Sequence, residues 1–222
     1  MPAVLIIGAS RGIGLALATE YHRAGWKVFA SARAPADLEK LAKLGVESFP
    51  CDVCNLNDIA ALGWRFDGQK IDVAILSAGV LGDRTEKCET PSLEKFHHVM
   101  DVNVLAAMRI LPIIAPMVEK SAGKLAVISS YMGSLSARES PDAWLYRASK
   151  AALNSVLLDV AHSFPSMVSV ALHPGWVRTD MGGAEATLSP EQSAAGIHKT
   201  ISTLSSRDNG TFYNYDGTRL GW

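Results

Sequence analysis

Tyr146 and Lys150 are the two residues whose types and spacing most directly suggest chemistry. They lie four positions apart, and residues 151–158, which follow, contain neither proline nor glycine and predict a helix. Positions four apart share one face of a helix, so the phenol and the ammonium are expected to be neighbours. A free phenol has a pKa of about 10, and a neighbouring cation lowers it toward the range of an acid–base catalyst. The spacing therefore predicts a proton-transferring tyrosine, although such pairs also occur on helices without a function.

A glycine-rich segment near the start of the chain, Gly8–Gly14, predicts a nucleotide-binding turn. It follows the apolar run Ala3–Ile7, which is typical of a buried parallel strand, and it precedes the helical run 15–21. Glycines permit a tight turn and let a pyrophosphate approach the backbone at the positive end of a helix. Their spacing, G-x-x-x-G-x-G, differs from the common G-x-G-x-x-G fingerprint, so an ordinary strand–helix turn is the alternative.

Further motifs follow in a fixed order along the chain. They are Cys51-Asp52-Val53, Ser77-Ala78-Gly79, Asn103-Val104, Ile128-Ser129-Ser130 and the run Pro174–Met181. Together with the glycine turn and the tyrosine–lysine pair, they resemble the short-chain dehydrogenase/reductase family over essentially the whole chain. They are most similar to its branch of C-factor and sniffer carbonyl reductases. The resemblance implies an NAD(P)-dependent oxidoreductase acting on CH–OH or C=O groups, with a small carbonyl compound or alcohol as substrate.

Alternating segments along the chain predict its architecture. Strands are expected over residues 3–7, 27–31, 46–49, 72–76, 124–129, 168–172 and 211–213, and helices over 12–24, 35–43, 56–66, 92–119, 144–163 and 190–203. Such alternation indicates a doubly wound α/β fold. The resemblance implies a Rossmann-type, mostly parallel seven-stranded sheet with helices on both faces, in a single dinucleotide-binding domain over residues 1–222. Pro112 and Pro116 are expected to bend or interrupt the helix 92–119.

Composition and charge narrow the possible functions. The 222 residues are 48% hydrophobic and 19% charged, which is typical of a globular chain rather than a disordered one. The formal net charge of −1 offers no basic surface, so neither nucleic acid nor a membrane is expected as a partner. No apolar segment is expected to reach the ~18 residues of a membrane span. The chain enters its first strand at once, leaving no room for a secretory signal, and we expect a cytoplasmic protein.

Cys51 and Cys54 form a C-x-x-C pair, for which a redox or zinc role must be weighed. A zinc site needs two further ligands at suitable spacing, whereas only Cys88 and scattered histidines remain. The resemblance places Asp52 and Val53 at the end of the third strand beside the adenine. The cysteines are therefore interpreted as incidental, and no metal is expected.

The resemblance also implies a set of catalytic residues. Ser130 orients and polarises the substrate carbonyl, Tyr146 transfers the proton, and Lys150 lowers the pKa of the phenol and binds the nicotinamide ribose. Asn103 holds a water that links Lys150 to solvent. Ser129 remains an alternative to Ser130. The sequence between Ser130 and Tyr146 is longer than is usual in the family, and the extra length is assigned to the loop before the helix.

The end of the second strand predicts the cofactor. NAD-specific sheets usually place an acidic residue there to bind the ribose, whereas this chain has Ala32 followed by Arg33. With Arg33 and Arg11 nearby, a 2′-phosphate is expected to bind, so NADP(H) is preferred and NAD(H) remains possible. The implied cofactor-binding residues are Gly8, Ser10, Arg11, Gly12, Ile13, Gly14, Arg33, Asp52, Val53, Ser77, Ala78, Gly79, Tyr146, Lys150, Pro174, Gly175, Val177 and Thr179. Ser77 stands where the family pattern has asparagine.

The residues leave two other functions open. One is a non-catalytic NADP-binding regulatory protein on the same fold, and the other is an NAD-dependent alcohol dehydrogenase. The short segment after Met181 suggests an open pocket, with an apolar wall that could include Tyr131, Met132, Leu135, Trp144 and Trp176. By resemblance, a homodimer or homotetramer is expected to form through the two long helices 92–119 and 144–163.

Overall fold

One sheet runs through the chain, and the computed structural model describes all of its residues, 1–222. The strands are β1 Ala3–Ile7, β2 Lys27–Ala32, β3 Glu47–Pro50, β4 Val73–Leu76, β5 Lys124–Ile128, β6 Val168–His173, β7 Thr211–Asn214 and β8 Arg219–Leu220. Their order is β3-β2-β1-β4-β5-β6-β7-β8, and only β8 is antiparallel to its neighbour. The predicted doubly wound α/β fold is confirmed, with eight strands in place of seven. The extra strand has two residues and forms through pairing with β7, so it has no periodic pattern of its own.

Helices cover both faces of the sheet. They are α1 Gly12–Arg23, α2 Pro35–Lys43, α3 Leu56–Arg65, α4 Leu93–Met100, α5 Ala106–Glu119, α6 Trp144–Ser163 and α7 Pro190–Thr203. The side chains of β1 alternate between two cores: Leu5 packs with α3, α5 and α6, and Ile6 packs with α1, α2 and α7. A strand buried on both faces requires a continuous apolar run, and this explains the composition of β1.

The long helical stretch over residues 93–119 differs from the prediction in two ways. Its interruption is a π-helical turn, Asp101–Leu105, while α5 continues through Pro112 and Pro116. The two prolines remove backbone donors, but the buried side chains around them, such as Ile114, hold the helix against the sheet. The stretch is also long and apolar enough to cross a membrane by length and composition, which the sequence analysis did not expect. Half of its most apolar window is buried inside the fold, as in the core helix of a globular protein.

The carboxyl ends of the parallel strands meet along one edge of the sheet. There the glycine turn follows β1, the Ser77-Ala78-Gly79 turn follows β4, Ser130 follows β5 and Pro174 follows β6. The strand order reverses between β1 and β4, which makes the crevice above them the place where open α/β sheets bind ligands.

Candidate active site

The glycine turn after β1 packs closely against the chain's own backbone and has no room for side chains at Gly8 and Gly14. Gly8 has φ of +91°, and a Cβ there would lie 2.7 Å from the backbone nitrogen of Ala78. A Cβ on Gly14 would overlap the carbonyl oxygen of Gly8. The buried hydroxyl of Ser31, which the sequence analysis missed, accepts a hydrogen bond from the Gly8 N–H at 2.9 Å and ties the turn to β2. The glycines thus hold the tight turn that places the amino end of α1 directly after β1, a position at which a pyrophosphate could bind.

The ends of β2 and β3 carry the residues predicted to contact the adenosine half of the cofactor. Ala32 is buried, and Arg33 is exposed and makes no ion pair within the chain. Arg11 is also exposed, but its guanidinium pairs with Asp180 on the segment after β6. The arginine beside an alanine in place of an acid fits a 2′-phosphate.

The turn after β3 holds Asp52 and the two cysteines of the C-x-x-C pair. The carboxylate of Asp52 accepts a hydrogen bond from the Cys54 N–H at 2.9 Å, and Val53 is buried. All three cysteines of the chain are free, and burial raises the pKa of the Cys51 thiol to about 12. A thiol that stays protonated at neutral pH is a poor nucleophile, and this agrees with an incidental role for the pair.

Tyr146 and Lys150 lie close together at the buried side of the site. The Lys150 ammonium is 5.7 Å from the centre of the Tyr146 ring and donates a hydrogen bond to the Ile128 carbonyl at 2.8 Å. Burial raises the pKa of Tyr146 to about 12, although the neighbouring Ser130 hydroxyl acts in the opposite direction. Burial also lowers the pKa of Lys150 to about 8. In the chain without a cofactor, removing the phenolate from water costs more than the neighbouring groups return. The lowering of the phenol pKa by Lys150 stays a prediction for the cofactor complex.

The two serines after β5 have different hydrogen bonds. Ser129 donates its hydroxyl proton to Asn154 Oδ1 at 2.6 Å, in a buried contact. Ser130 accepts a hydrogen bond from the Met132 N–H at 3.1 Å, which caps the short turn Tyr131–Gly133. Its hydroxyl also lies within hydrogen-bonding reach of the Tyr146 phenol. Of the two, Ser130 has the geometry to polarise a carbonyl oxygen.

Asn103 lies in the π-helical turn between α4 and α5 and is buried. Its side-chain amide accepts a hydrogen bond from the Val80 N–H and donates to the Val80 carbonyl, both at 2.8 Å. It also donates to Ser149 Oγ at 2.9 Å, which connects the turn after β4 to α6. The side chain makes three hydrogen bonds within the chain. The expected water link to Lys150 stays a prediction and would use the second lone pair of Asn103 Oδ1 or the Asn103 backbone carbonyl.

A cavity of about 580 Å³ opens beside these residues. The predicted site residues that line it are Ile13, Ser129, Ser130, Tyr146, Pro174, Gly175, Val177 and Thr179. Of the expected apolar wall, Tyr131, Met132 and Trp176 line it, whereas Leu135 and Trp144 do not. Leu135 is 67% exposed, and the Trp144 indole donates a hydrogen bond to the Glu89 carbonyl instead. The structure thus brings Ser130, Tyr146 and the segment after β6 to one cavity, whereas Lys150 is buried and does not line it.

Three polar residues near the cavity were missed by the sequence analysis. The buried Arg147 guanidinium donates hydrogen bonds to the Asp142 carbonyl at 2.8 Å and to its carboxylate at 2.6 Å, which ties the loop before α6 to the first turn of α6. His173 ends β6 and lines the cavity. Its position at the end of a strand, directly before Pro174, was the available indication of a role, because ligands bind at such ends.

Comparison with known proteins assigns the family. The family model for short chain dehydrogenases matches residues 2–188. This chain belongs to that family. It is therefore an oxidoreductase that acts on carbonyl or alcohol groups.

Relatives and solved structures agree over the full length. A 1-hydroxy-2-glutathionyl-2-methyl-3-butene dehydrogenase from Rhodococcus sp. is 32% identical over 231 residues, with 100% of each chain covered. The solved structure of a short-chain dehydrogenase/reductase from Burkholderia multivorans with bound NADP has a TM-score of 0.92 and 32% identity, covering 100% of this chain and 99% of its own. The carbonyl reductase Sniffer of D. melanogaster has a TM-score of 0.91 and 29% identity, with 100% of each chain covered. The predicted family and its carbonyl reductase branch are confirmed.

Proposed function

We propose that this chain is an NADPH-dependent carbonyl reductase in which Tyr146 donates the proton. The observation that carries the proposal is the placement of the Ser130 hydroxyl and the Tyr146 phenol on one wall of the cavity, with Lys150 buried behind them. Two hydroxyl donors that converge on one point suit an oxygen on which negative charge develops. A bound nicotinamide cofactor supplies the hydride to the carbonyl carbon.

The protonation states of the site suit reduction. Because the pKa of Tyr146 is raised to about 12, the phenol is protonated at neutral pH and can act as the acid. The Ser130 oxygen accepts a hydrogen bond from the Met132 N–H, and the hydroxyl proton can be donated to the substrate oxygen. Lys150, with a pKa of about 8, is largely charged at neutral pH and stabilises the phenolate that Tyr146 becomes.

NADP(H) is the cofactor that the residues at the end of β2 favour. Arg33 is exposed and free of intrachain ion pairs, and the preceding Ala32 offers no negative charge to repel a phosphate. Similar solved structures contain NADP, including the one from Burkholderia multivorans and a carbonyl reductase from Pseudomonas aeruginosa PAO1. NAD(H) remains a second cofactor that the same turn could hold. The glycines, Ser10 and Thr179 would contact the shared part of either cofactor.

Two alternative functions differ in what they require of the site. A non-catalytic NADP-binding regulator has no need of Ser130, Tyr146 and Lys150 together, and their joint presence favours an enzyme. Alcohol oxidation is the reverse of the proposed reaction, and the relative from Rhodococcus is named as a dehydrogenase. The direction of the reaction therefore depends on the substrate, while the residue roles stay the same. A cytoplasmic location remains a prediction.

Initial rates of NADPH and NADH oxidation with a panel of aldehydes and ketones test this proposal. We expect reduction with both cofactors and a kcat/KM for NADPH at least about tenfold higher than for NADH, since a charge-assisted contact to the 2′-phosphate is worth about 1.5–3 kcal/mol. Arg33→Ala should remove most of that preference while NADH kinetics change little. Arg138→Ala, an exposed arginine far along the chain from the β2 end, is the matched control. Turnover with NADH alone, or an unchanged preference in Arg33→Ala, would contradict the cofactor assignment.

A further inference from the structure

His173 is a polar side chain in the substrate cavity that nothing in the chain engages. It ends β6, immediately before Pro174, and lines the same cavity as Ser130 and Tyr146. Its Nδ1 is sealed from solvent and has no hydrogen-bond partner, whereas Nε2 is not sealed and is the ring nitrogen that a molecule in the cavity can reach. The Tyr131 ring lies with its centre 6.1 Å from the centre of the imidazole.

The charge state of His173 leaves it both a donor and an acceptor. Burial lowers the pKa of the imidazole to about 4, although Asp216 acts in the opposite direction. The ring is therefore neutral at physiological pH, with one N–H donor and one lone pair. A molecule that fills the cavity would remove water from Nε2, which is costly unless a new hydrogen bond replaces it, so Nε2 is expected to pair with that molecule.

The residues around His173 do not supply that partner. Asn214 lies opposite it in the β6–β7 register, and its Oδ1 is likewise sealed, so this acceptor can complement only the sealed Nδ1 and Nε2 has no hydrogen bond within the chain. Of the charged residues that line the cavity, Arg84 donates to the Met181 carbonyl, Asp142 accepts from Arg147, and Glu86 makes no hydrogen bond to His173. The hydroxyl of Thr85 is the other sealed and unpaired side-chain atom among the residues that line the cavity.

We propose that His173 determines specificity by hydrogen-bonding a hydroxyl group of the substrate, so that the preferred substrates are hydroxy-substituted carbonyl compounds. A hydroxyl both donates and accepts, so it pairs with either tautomer of a neutral imidazole. The inference rests on the proposed carbonyl reductase function, whose substrate class it narrows. A site built to bind a hydroxyl discriminates strongly against the analogue that lacks it, because its own polar group is then left unpaired.

Matched pairs of ketones test the proposal. Acetophenone and its α-hydroxy derivative, and butanone and its β-hydroxy derivative, are compared with NADPH in the wild type, His173→Phe and His173→Gln. The wild type should prefer at least one hydroxy compound by roughly tenfold or more in kcat/KM. His173→Phe should lose this preference through a higher KM for the hydroxy compound while the unsubstituted ketone changes less than about threefold. His173→Gln should restore part of the preference, because its amide both donates and accepts.

Several outcomes would overturn the assignment. Equal losses for both members of a pair in His173→Phe would mean a structural role, and an unchanged preference would mean no role. Thr85→Val removes the unpaired Thr85 hydroxyl at similar side-chain volume. Loss of the preference for the hydroxy compound in that variant alone would transfer the role to Thr85.

Failure of the proposed reductase function can be distinguished from failure of the proposed His173 contact. A wild type that reduces no carbonyl would contradict the reductase assignment, but the contact can still be measured without turnover. The imidazole nitrogen chemical shifts of His173 are followed by NMR in the NADP⁺ complex as each ketone is added. Shifts with the hydroxy compound alone would support the contact, and identical shifts with both members of a pair would overturn it.

Discussion

Tyr146 and Lys150 are both withdrawn from water, and this changes their pKa values in opposite directions. Burial raises the pKa of the phenol from 10 to about 12 and lowers that of the ammonium from 10.5 to about 8. Both changes favour the neutral form, since desolvation always disfavours charge. The pair is therefore set for donation of a proton from a neutral phenol, and the phenolate gains its stabilisation from Lys150 only when it forms.

The pH dependence of the stability of the cofactor-free protein should show that Lys150 is desolvated. Between pH 8 and pH 10.5 the unfolded chain holds the Lys150 proton and the folded chain does not, so the free energy of unfolding rises with pH in this window. Relative to Lys150→Met, the free energy of unfolding of the wild type should rise by about 3 kcal/mol across this pH window. Urea unfolding of both proteins at several pH values measures this difference. Tyr146 and Cys51 titrate in both proteins and cancel, and an unchanged difference would mean that Lys150 is not desolvated.

Most residues that carry the proposed chemistry could be predicted from the sequence, because strand ends, glycines and the four-residue spacing constrain them locally. The residues that were missed depend on contacts far apart in the chain. Ser31 reaches Gly8 from another strand, and Arg147 reaches back to a loop whose path no local pattern describes. The same limit explains why the raised pKa of Tyr146 was not predicted, because burial follows from packing rather than from the spacing to Lys150.

The elements themselves were predictable where burial dictates composition. The ends of strands such as β1 and β5 match their apolar runs within a residue, because both faces of these strands are covered. The π-helical turn Asp101–Leu105 was not predicted. It shares its residue types with an ordinary helix and is accompanied by long-range hydrogen bonds of Asn103 to Val80 and Ser149.

Two helical glycines should respond in opposite ways to alanine. Gly14→Ala places a methyl group against the Gly8 carbonyl and should cost about 1–3 kcal/mol of stability and most of the NADPH affinity. Gly63→Ala in α3 meets nothing closer than Ile113 Cγ2 at 3.8 Å and should stabilise the protein by about 0.5–1 kcal/mol. Thermal unfolding and NADPH binding measure both. Because helix propensity alone favours alanine at both positions, a stabilised Gly14→Ala with normal NADPH binding would show that the turn is not closely packed.

At the scale of the whole molecule, the helices α4 and α5 carry exposed apolar side chains. Leu93, Phe96 and Met108 are exposed there by 72%, 41% and 54% of their surface. The outer face of α6 carries the small exposed residues Ala148 and Ser155, which allow close approach of another helix. Both features support the predicted pairing of copies through these helices. The single-domain organisation over residues 1–222 also remains a prediction.

Sedimentation equilibrium tests this assembly. We expect the mass of two or four chains, because exposed apolar side chains of this size favour burial against a second copy. Phe96→Glu should shift the mass toward one chain. Trp64→Glu, at an 89% exposed position on α3, is the control and should leave the mass unchanged. A wild-type mass of one chain at micromolar concentration would contradict the predicted dimer or tetramer.

The most direct test of the central claim is the rate of carbonyl reduction by Tyr146→Phe at saturating NADPH. The variant keeps the ring beside Lys150 and lacks only the hydroxyl, so NADPH affinity, followed by energy transfer from tryptophan, should stay within about threefold of the wild type. Turnover should fall by roughly a thousandfold or more, because Ser130 alone cannot supply the proton that the phenol gives. Such a result would establish Tyr146 as the acid of an NADPH-dependent reductase. Turnover near the wild-type level, with NADPH bound, would contradict the proposed mechanism.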